Sequence, residues 1–331
     1  MNNVHPLVSI ITATYRNFNH LFQTISSVLS QTYEQIEYII TDDCSDNFPE
    51  REINDFISLH SKNGFEYRII RQVQNVGTVK NLNSAYKAAK GIYIMNLSCG
   101  DIFFEKQTIS KIVNRIVDRN ANLVLTSRIL YDYDFHPLCL TPHLEEQSKL
   151  QALSSNKEQY RQFIMTRLCG MASGSVMCVS KAIIEEFNYF DESYTYLEDC
   201  PFFAKYLWKY PIECAPDIIS IWYEYGGVST SENKGEYAPR YRNDIIRFNR
   251  TDRSDHLDCF SLLDRTLLYI DRIRIIAGGF IRNSKWLGFV VQINNHVKRT
   301  RNKNKPTDYE LKFIESLINN RDLDFNRFYE D

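Results

Sequence analysis

Carboxylates stand where apolar runs give way to small polar turns. Asp42 and Asp43 close "IEYIITDD", Asp101 follows Ser98, Cys99 and Gly100 after "GIYIMNL", and Glu198 and Asp199 open "LEDCPFFAKYLWKY". An acid so placed can hold a hard divalent cation, accept a hydrogen bond from a sugar hydroxyl, or take a proton as a general base. Each has a plainer explanation too. "DDCSDN" is good turn chemistry, and acids at a helix start complement the helix dipole. "NVGTVKN" (75–81) joins Gly77 and its neighbouring amides to Lys80 one turn into a helix. That suits an anionic ligand as well as an ordinary helix start.

The elements that must position these groups alternate. "LVSIIT" (7–12), "IEYIITDD" (36–43), "FEYRIIRQV" (65–73), Ile92–Leu97 and "NLVLTSRILY" (122–131) read as strands. Leu21, Ile25, Val28 and Leu29 recur at helical spacing, and 78–90 reads as a helix. Strands separated by helices predict an α/β fold with a doubly wound, mostly parallel sheet. Ligands bind such sheets beyond the carboxyl ends of the strands, where Thr12–Tyr15, Asp42–Asp43 and Ser98–Asp101 converge. Residues 132–160 read as a long loop over that crevice, with His136 and His143 as loop or surface residues. From 170 a small-residue turn, a strand and a helix follow, and 236–320 reads as helical and rich in Arg and Lys. A boundary near 230 divides a catalytic domain (1–230) from an all-helical C-terminal region (231–331).

Composition narrows the function classes. Over 331 residues, 39 Lys and Arg nearly balance 41 Asp and Glu, so no global field points to nucleic acid. Eight cysteines form no C-x-x-C pair, which fits free thiols in a reducing cytoplasm. The start lacks a signal-peptide pattern, and no apolar run approaches the ~18 residues a membrane span needs. The expectation is a cytoplasmic protein, or one peripheral on the cytoplasmic face of the inner membrane. The first strand leads into "TATYRN" rather than G-x-G-x-x-G, which argues against a dinucleotide site. In the tail, Trp286, Val290, Ile293 and Val297 form one apolar stripe ahead of Lys298, Arg299, Arg301, Lys303 and Lys305. The stripe suits either packing on the catalytic domain or an interfacial helix over 261–305 on anionic lipid.

In order, "VSIITATYRN", "SVLSQTY", "DDCSDN", an N-x-G segment, "AAKGIYIMNL" and a downstream "FDE…ED" resemble the family 2 glycosyltransferases of GT-A fold, over roughly residues 6–230. The resemblance implies an enzyme that moves a sugar from a nucleotide diphosphate sugar, commonly a UDP-hexose or UDP-HexNAc, to a hydroxyl of a glycan acceptor with inversion. Bacterial relatives use polyprenyl-diphosphate-linked acceptors in O-antigen or capsule assembly. Ala13, Thr14 and Tyr15 match the turn against the nucleotide base, and Asp43 the acid that bonds uracil or ribose. Gly77 and Lys80 fall among the nucleotide-sugar-binding residues, Lys80 near the place where the family often carries Arg. Asp199 matches the catalytic base, Glu198 its acidic neighbour, and Gly174–Ser175 the turn beside the acceptor. Many relatives carry a His near position 225, where this chain has Tyr225.

One departure matters. The family ends its fourth strand in Leu-Asp-x-Asp-Asp, and here the row is Leu97, Ser98, Cys99, Gly100, Asp101. The expectation is that Asp101 alone holds Mn²⁺ or Mg²⁺, with Ser98 helping and the donor's phosphates completing the shell. The lost acids leave an alternative open, a non-catalytic nucleotide-sugar-binding protein. A processive synthase is disfavoured, since the chain lacks membrane spans and a Gln-x-x-Arg-Trp motif.

Overall fold

A computed structural model describes residues 5–132, 136–153, 156, 158–160, 163–164, 173–224, 238–252, 255, 260–263, 265–266, 269, 306–320 and 322. Strands β1 (Val8–Thr14), β2 (Ile36–Asp42), β3 (Glu66–Arg71) and β4 (Tyr93–Asn96) form a parallel half in the order β3-β2-β1-β4. Their apolar runs are nearly continuous because helices cover both faces. Val8, Ile10, Tyr38 and Ile40 pack with α1 (Leu21–Leu29), α2 (Glu50–His60) and α4 (Thr108–Arg119). Ile11, Ile39 and Ile94 face the other way, against α3 (Thr78–Ala88), α6 (Lys181–Glu186) and α7 (Asp199–Lys209). The chain order reverses between β1 and β4, so a crevice opens beyond their carboxyl ends.

Past β4 the sheet becomes mixed. β8 (Met177–Ser180) runs antiparallel to β4 and to β6 (Leu123–Tyr131), while β9 (Glu213–Glu224) runs parallel to β6. The two residues of β5, Ile102 and Phe103, pair antiparallel with β9. Because β8 runs backwards, the 3₁₀ turn Gly174–Val176 at its start lies at the carboxyl edge of β4. β6 continues past its last pair with β8, Leu125↔Met177, and carries Arg128 to the level of that turn.

One expectation changes. Much of 132–160 is not loop: β7 (Pro137–Thr141) forms a hairpin with β6, and α5 (Leu144–Leu153) follows. The last described tail helix packs against this part of the sheet. The last helix, α9 (Asp308–Asn319), buries Ile314 against Leu140, Trp222 and Tyr131. Its Glu310, 3% exposed, accepts from His143 Nδ1 at 2.8 Å and from the amides of Leu140 and Leu144. His143 lies in the loop between β7 and α5 and docks the last helix, whereas His136 is exposed as expected. The Trp286–Val297 stripe, Tyr225 and the boundary near 230 lie outside the described residues. Among the described residues no helix is long and apolar enough to cross a membrane.

Candidate active site

On the donor side, the ends of β1 and β2 are tied together from within. Thr14 Oγ1 donates to Asp42 Oδ1 at 3.0 Å, and Asp42 also accepts from the amide and hydroxyl of Ser45. Thr14 is 4% exposed, so its hydroxyl is committed inward and only its backbone faces the crevice. Ala13 and Tyr15 are partly buried, and the Tyr15 ring lies 4.9 Å from the guanidinium carbon of Arg16.

Asp43 is bonded by the loop ahead of α3. Its Oδ1 accepts the Val76 amide at 2.7 Å, and its Oδ2 accepts the Gly77 amide at 2.8 Å and Asn75 Nδ2 at 2.9 Å. The carboxyl is 3% exposed, and burial raises its pKa against the opposing pull of the two amides. These bonds fix the 75–77 loop. The Gly77 amide is therefore not available to an anion, and the Val79 amide is taken by the Thr195 carbonyl at 3.2 Å. Lys80 remains exposed. Gly77 has φ +89°, and a Cβ there would stand 2.8 Å from Thr195 Cγ2. We expect Gly77→Ala to cost about 2–3 kcal/mol, from the glycine-only backbone and the clash together, read as a lower urea midpoint. An unchanged midpoint would show that Thr195 gives way freely.

The turn after β4 is held from three sides. Tyr131 OH donates to the Gly100 carbonyl at 2.6 Å, the Gly100 amide donates to Thr24 Oγ1 at 3.0 Å, and the Asp101 amide donates to the Ser98 carbonyl at 2.9 Å. Asp101, between these bonds and the β5–β9 pairing, is 2% exposed, and its Oδ2 is sealed from solvent. The oxygen donor that this turn offers solvent is the Ser98 hydroxyl. Among the described residues no three His, Cys, Asp or Glu side chains cluster as metal ligands. Mn²⁺ and Mg²⁺ need accessible oxygens, commonly a carboxylate. Asp101 as placed does not fit the role of ion ligand.

The catalytic-side acids behave differently. Glu198 and Asp199 are both partly exposed, at the start of α7. Asp199 Oδ2 accepts the Gly174 amide at 3.2 Å, and Oδ1 accepts the Cys200 amide at 2.6 Å. Gly174 has no side chain to separate it from its neighbours: a Cβ there would meet Glu198 Oε1 at 3.1 Å and Asn96 Nδ2 at 3.4 Å. Gly174, the end of β4 and both acids thus share one corner. Burial pushes the Glu198 carboxyl up to about 8, and the negative charge of Asp199 beside it adds to the effect. Burial also raises Asp199, opposed by its two amide bonds and by the positive charge of Arg128. Two adjacent acids that are costly to ionise together hold a proton near neutrality as a pair.

A strap joins the two sides. The amides of Thr195 and Tyr196 donate to Asp244 Oδ2 at 2.8 and 2.6 Å, from helix α8 (Ala238–Arg250), and the Thr195 carbonyl holds α3. Asp244, Asn96 and Arg128 were not singled out by the sequence, and Asn75 entered only as the first residue of the N-x-G segment. Of the other three, Arg128 alone carried a signal, as the lone charge within an otherwise uncharged strand.

The matching family model is Glycosyl transferase family 2, over residues 9–187, which is more than half of the chain. The chain belongs to this family. An uncharacterized glycosyltransferase of Rickettsia typhi is 26% identical over 208 residues, 62% of this chain and 60% of the relative. The chain therefore spans less than two thirds of that relative's length. The glucosyltransferase WfaP of Escherichia coli, named for UDP-Glc and α-D-GlcNAc-diphosphoundecaprenol, is 27% identical over 72% of this chain and 84% of its own. The putative teichuronic acid biosynthesis glycosyltransferase TuaG of Bacillus subtilis is 29% identical over 44% of this chain and 56% of its own. Among solved structures, S. aureus TarS with UDP-GlcNAc superposes with TM-score 0.56 at 16% identity, covering 84% of this chain and 76% of that one. The mannosyltransferase PcManGT of Pyrobaculum calidifontis, with GDP-Man and Mn²⁺, gives 0.55 at 12%, covering 89% and 81%. This family 2 chain has the GT-A fold.

Proposed function

We propose that this family 2 chain transfers a sugar, with inversion, from a UDP-hexose or UDP-HexNAc to a hydroxyl of a lipid-diphosphate-linked glycan acceptor in surface-polysaccharide assembly. The observation that carries the proposal is the Glu198–Asp199 corner. It is a partly exposed acid pair of raised proton affinity, held by Gly174 at the carboxyl edge of β4. The donor's diphosphate leaves the anomeric carbon as the acceptor hydroxyl attacks from the opposite face. Asp199 accepts the hydroxyl proton as the new bond forms, so a single displacement inverts the centre. Glu198, protonated beside it, spares Asp199 a second adjacent negative charge. Arg16 and Lys80 are exposed cations on the donor side, suited to the charge that grows on the departing diphosphate.

No step is assigned to a divalent ion, because Asp101 is closed. Ser98 is a weak single donor, so EDTA-treated protein should keep its affinity for UDP within about threefold of the Mn²⁺-supplemented value. A loss of about tenfold or more would show an ion bound through other ligands. The same closed acid favours a second reading, a nucleotide-sugar-binding protein without turnover. A panel of nucleotide sugars in thermal shift, followed by donor hydrolysis and transfer assays, separates the two: binding without either reaction supports the second. Attachment through 261–305 to anionic lipid also belongs to the proposal. Vesicle sedimentation of the chain with and without residues 255–331 tests it, and equal recovery in the supernatant would remove the membrane contact.

A further inference from the structure

Among the described residues Arg128 makes no ion pair. Its Nη1 donates to Ser173 Oγ and Ser175 Oγ, both at 2.8 Å, and its guanidinium carbon lies 4.1 Å from the centroid of the Tyr223 ring. All three partners are neutral. Its Nε is sealed from solvent with no hydrogen-bond acceptor among the described residues. A guanidinium taken partly out of water is normally matched by a carboxylate or phosphate, since burial of an unpaired charge is costly. Here the two serine hydroxyls and the aromatic face fix the plane of the group without neutralising it. With Nη1 committed to the serines and Nε sealed, the planar group offers a phosphate or carboxylate its charge and its Nη2 edge.

Its place in the fold says whose anion it awaits. The turn Ser173–Ser175 bonds Arg128 through its hydroxyls and Asp199 through the Gly174 amide. The cation therefore sits one short turn from the acid that meets the acceptor. The donor-side strand ends, Ala13–Tyr15 and Asp43, lie across β4 from it in the sheet order. Asp199 itself feels the charge, which opposes the rise that burial causes in its proton affinity.

We propose that Arg128, with Ser173 and Ser175, forms an anion subsite for the acceptor, reading a phosphate group next to the sugar whose hydroxyl is glycosylated. This rests on the glycosyltransferase reading for the identity of the ligand, yet its test needs no turnover. The probes are α-GlcNAc-diphosphate bearing a short alkyl chain and the uncharged alkyl α-GlcNAc glycoside. Each is titrated by calorimetry into the full chain presaturated with UDP.

Wild-type protein should prefer the charged probe, and Arg128→Gln should lower the ratio of charged to neutral affinity by about tenfold or more, the loss of a charge-assisted hydrogen bond. Arg128→Lys, which keeps the charge and loses the fork, should fall between. An unchanged ratio overturns the subsite. So does an equal loss for both probes, which would mark Arg128 as a support for the turn alone. A weakened affinity for UDP with the ratio intact would assign the cation to the donor instead and also overturn it. Unfolding midpoints of the variants identify any that misfold, and Ser175→Ala then serves as the alternative removal of the cradle, with the same expected direction. Failure of the glycosyltransferase reading would show separately, as absence of sugar transfer to either probe.

Discussion

Asp199→Asn is expected to lower sugar transfer by about 10²–10⁴-fold, the usual contribution of a general base, and to leave UDP affinity within about twofold. The amide keeps the size of the carboxyl but cannot take a proton. The geometry also says where the substitution strains the site. The carboxylate accepts one amide on each oxygen, from Gly174 and from Cys200, whereas Asn has only one acceptor oxygen. The NH₂ group should face Gly174, whose bond is the longer at 3.2 Å. Stopped assays with saturating acceptor read the loss, and UDP titration reads the binding. A variant that turns over at the wild-type rate would show that another group takes the proton.

The second large effect concerns stability and runs the other way. Glu198 has an ordinary carboxyl value of 4.5 and is pushed up to about 8 in the fold, by burial first and by Asp199 second. A carboxyl whose folded value is raised binds its proton more tightly when folded, so ionisation favours the unfolded chain. The cost is absent below about pH 4.5, grows as pH rises, and is complete above about 8. Glu198→Gln removes it. The variant should match the wild type in stability near pH 4.5 and exceed it at pH 9 by an amount on the order of 2 kcal/mol, visible as a higher Tm. A variant less stable than wild type at pH 9 would show that Glu198 is a structural acid and that the raised proton affinity of the pair is not real. Strain of this kind, held at a site that needs it, is a common cost of function.

Legibility of the sequence follows the range of the forces involved. The β-branched runs of β1, β2 and β4 announce themselves locally, because buried parallel strands must be apolar on both faces. The order of short motifs gave the fold and the acid pair at 198–199. The burial of Asp101 depends on a two-residue strand pairing with β9, Ile102↔Trp222 and Phe103↔Ile221, more than a hundred residues away in the chain, which no local pattern shows. Nor does anything near Asp43 in sequence show that the amides of Val76 and Gly77 will close on it. Asp244 lies on a helix read only as rich in Arg and Lys, yet it accepts the amides of the strap that leads into Glu198 and Asp199. The stretch 137–153 lacks strong periodicity, and its hairpin and helix form against β6 and α9 rather than from local preference. In each case a long-range contact decides what a short-range pattern leaves open.

The stereochemistry of the product tests the central claim most directly. A single base at Asp199, with no nucleophile forming a covalent sugar intermediate, allows one displacement. With an α-linked UDP-sugar as donor, proton NMR of the newly formed linkage should show the β anomer alone. An α-linked product from the same donor would contradict the mechanism, whatever the effect of mutating Asp199.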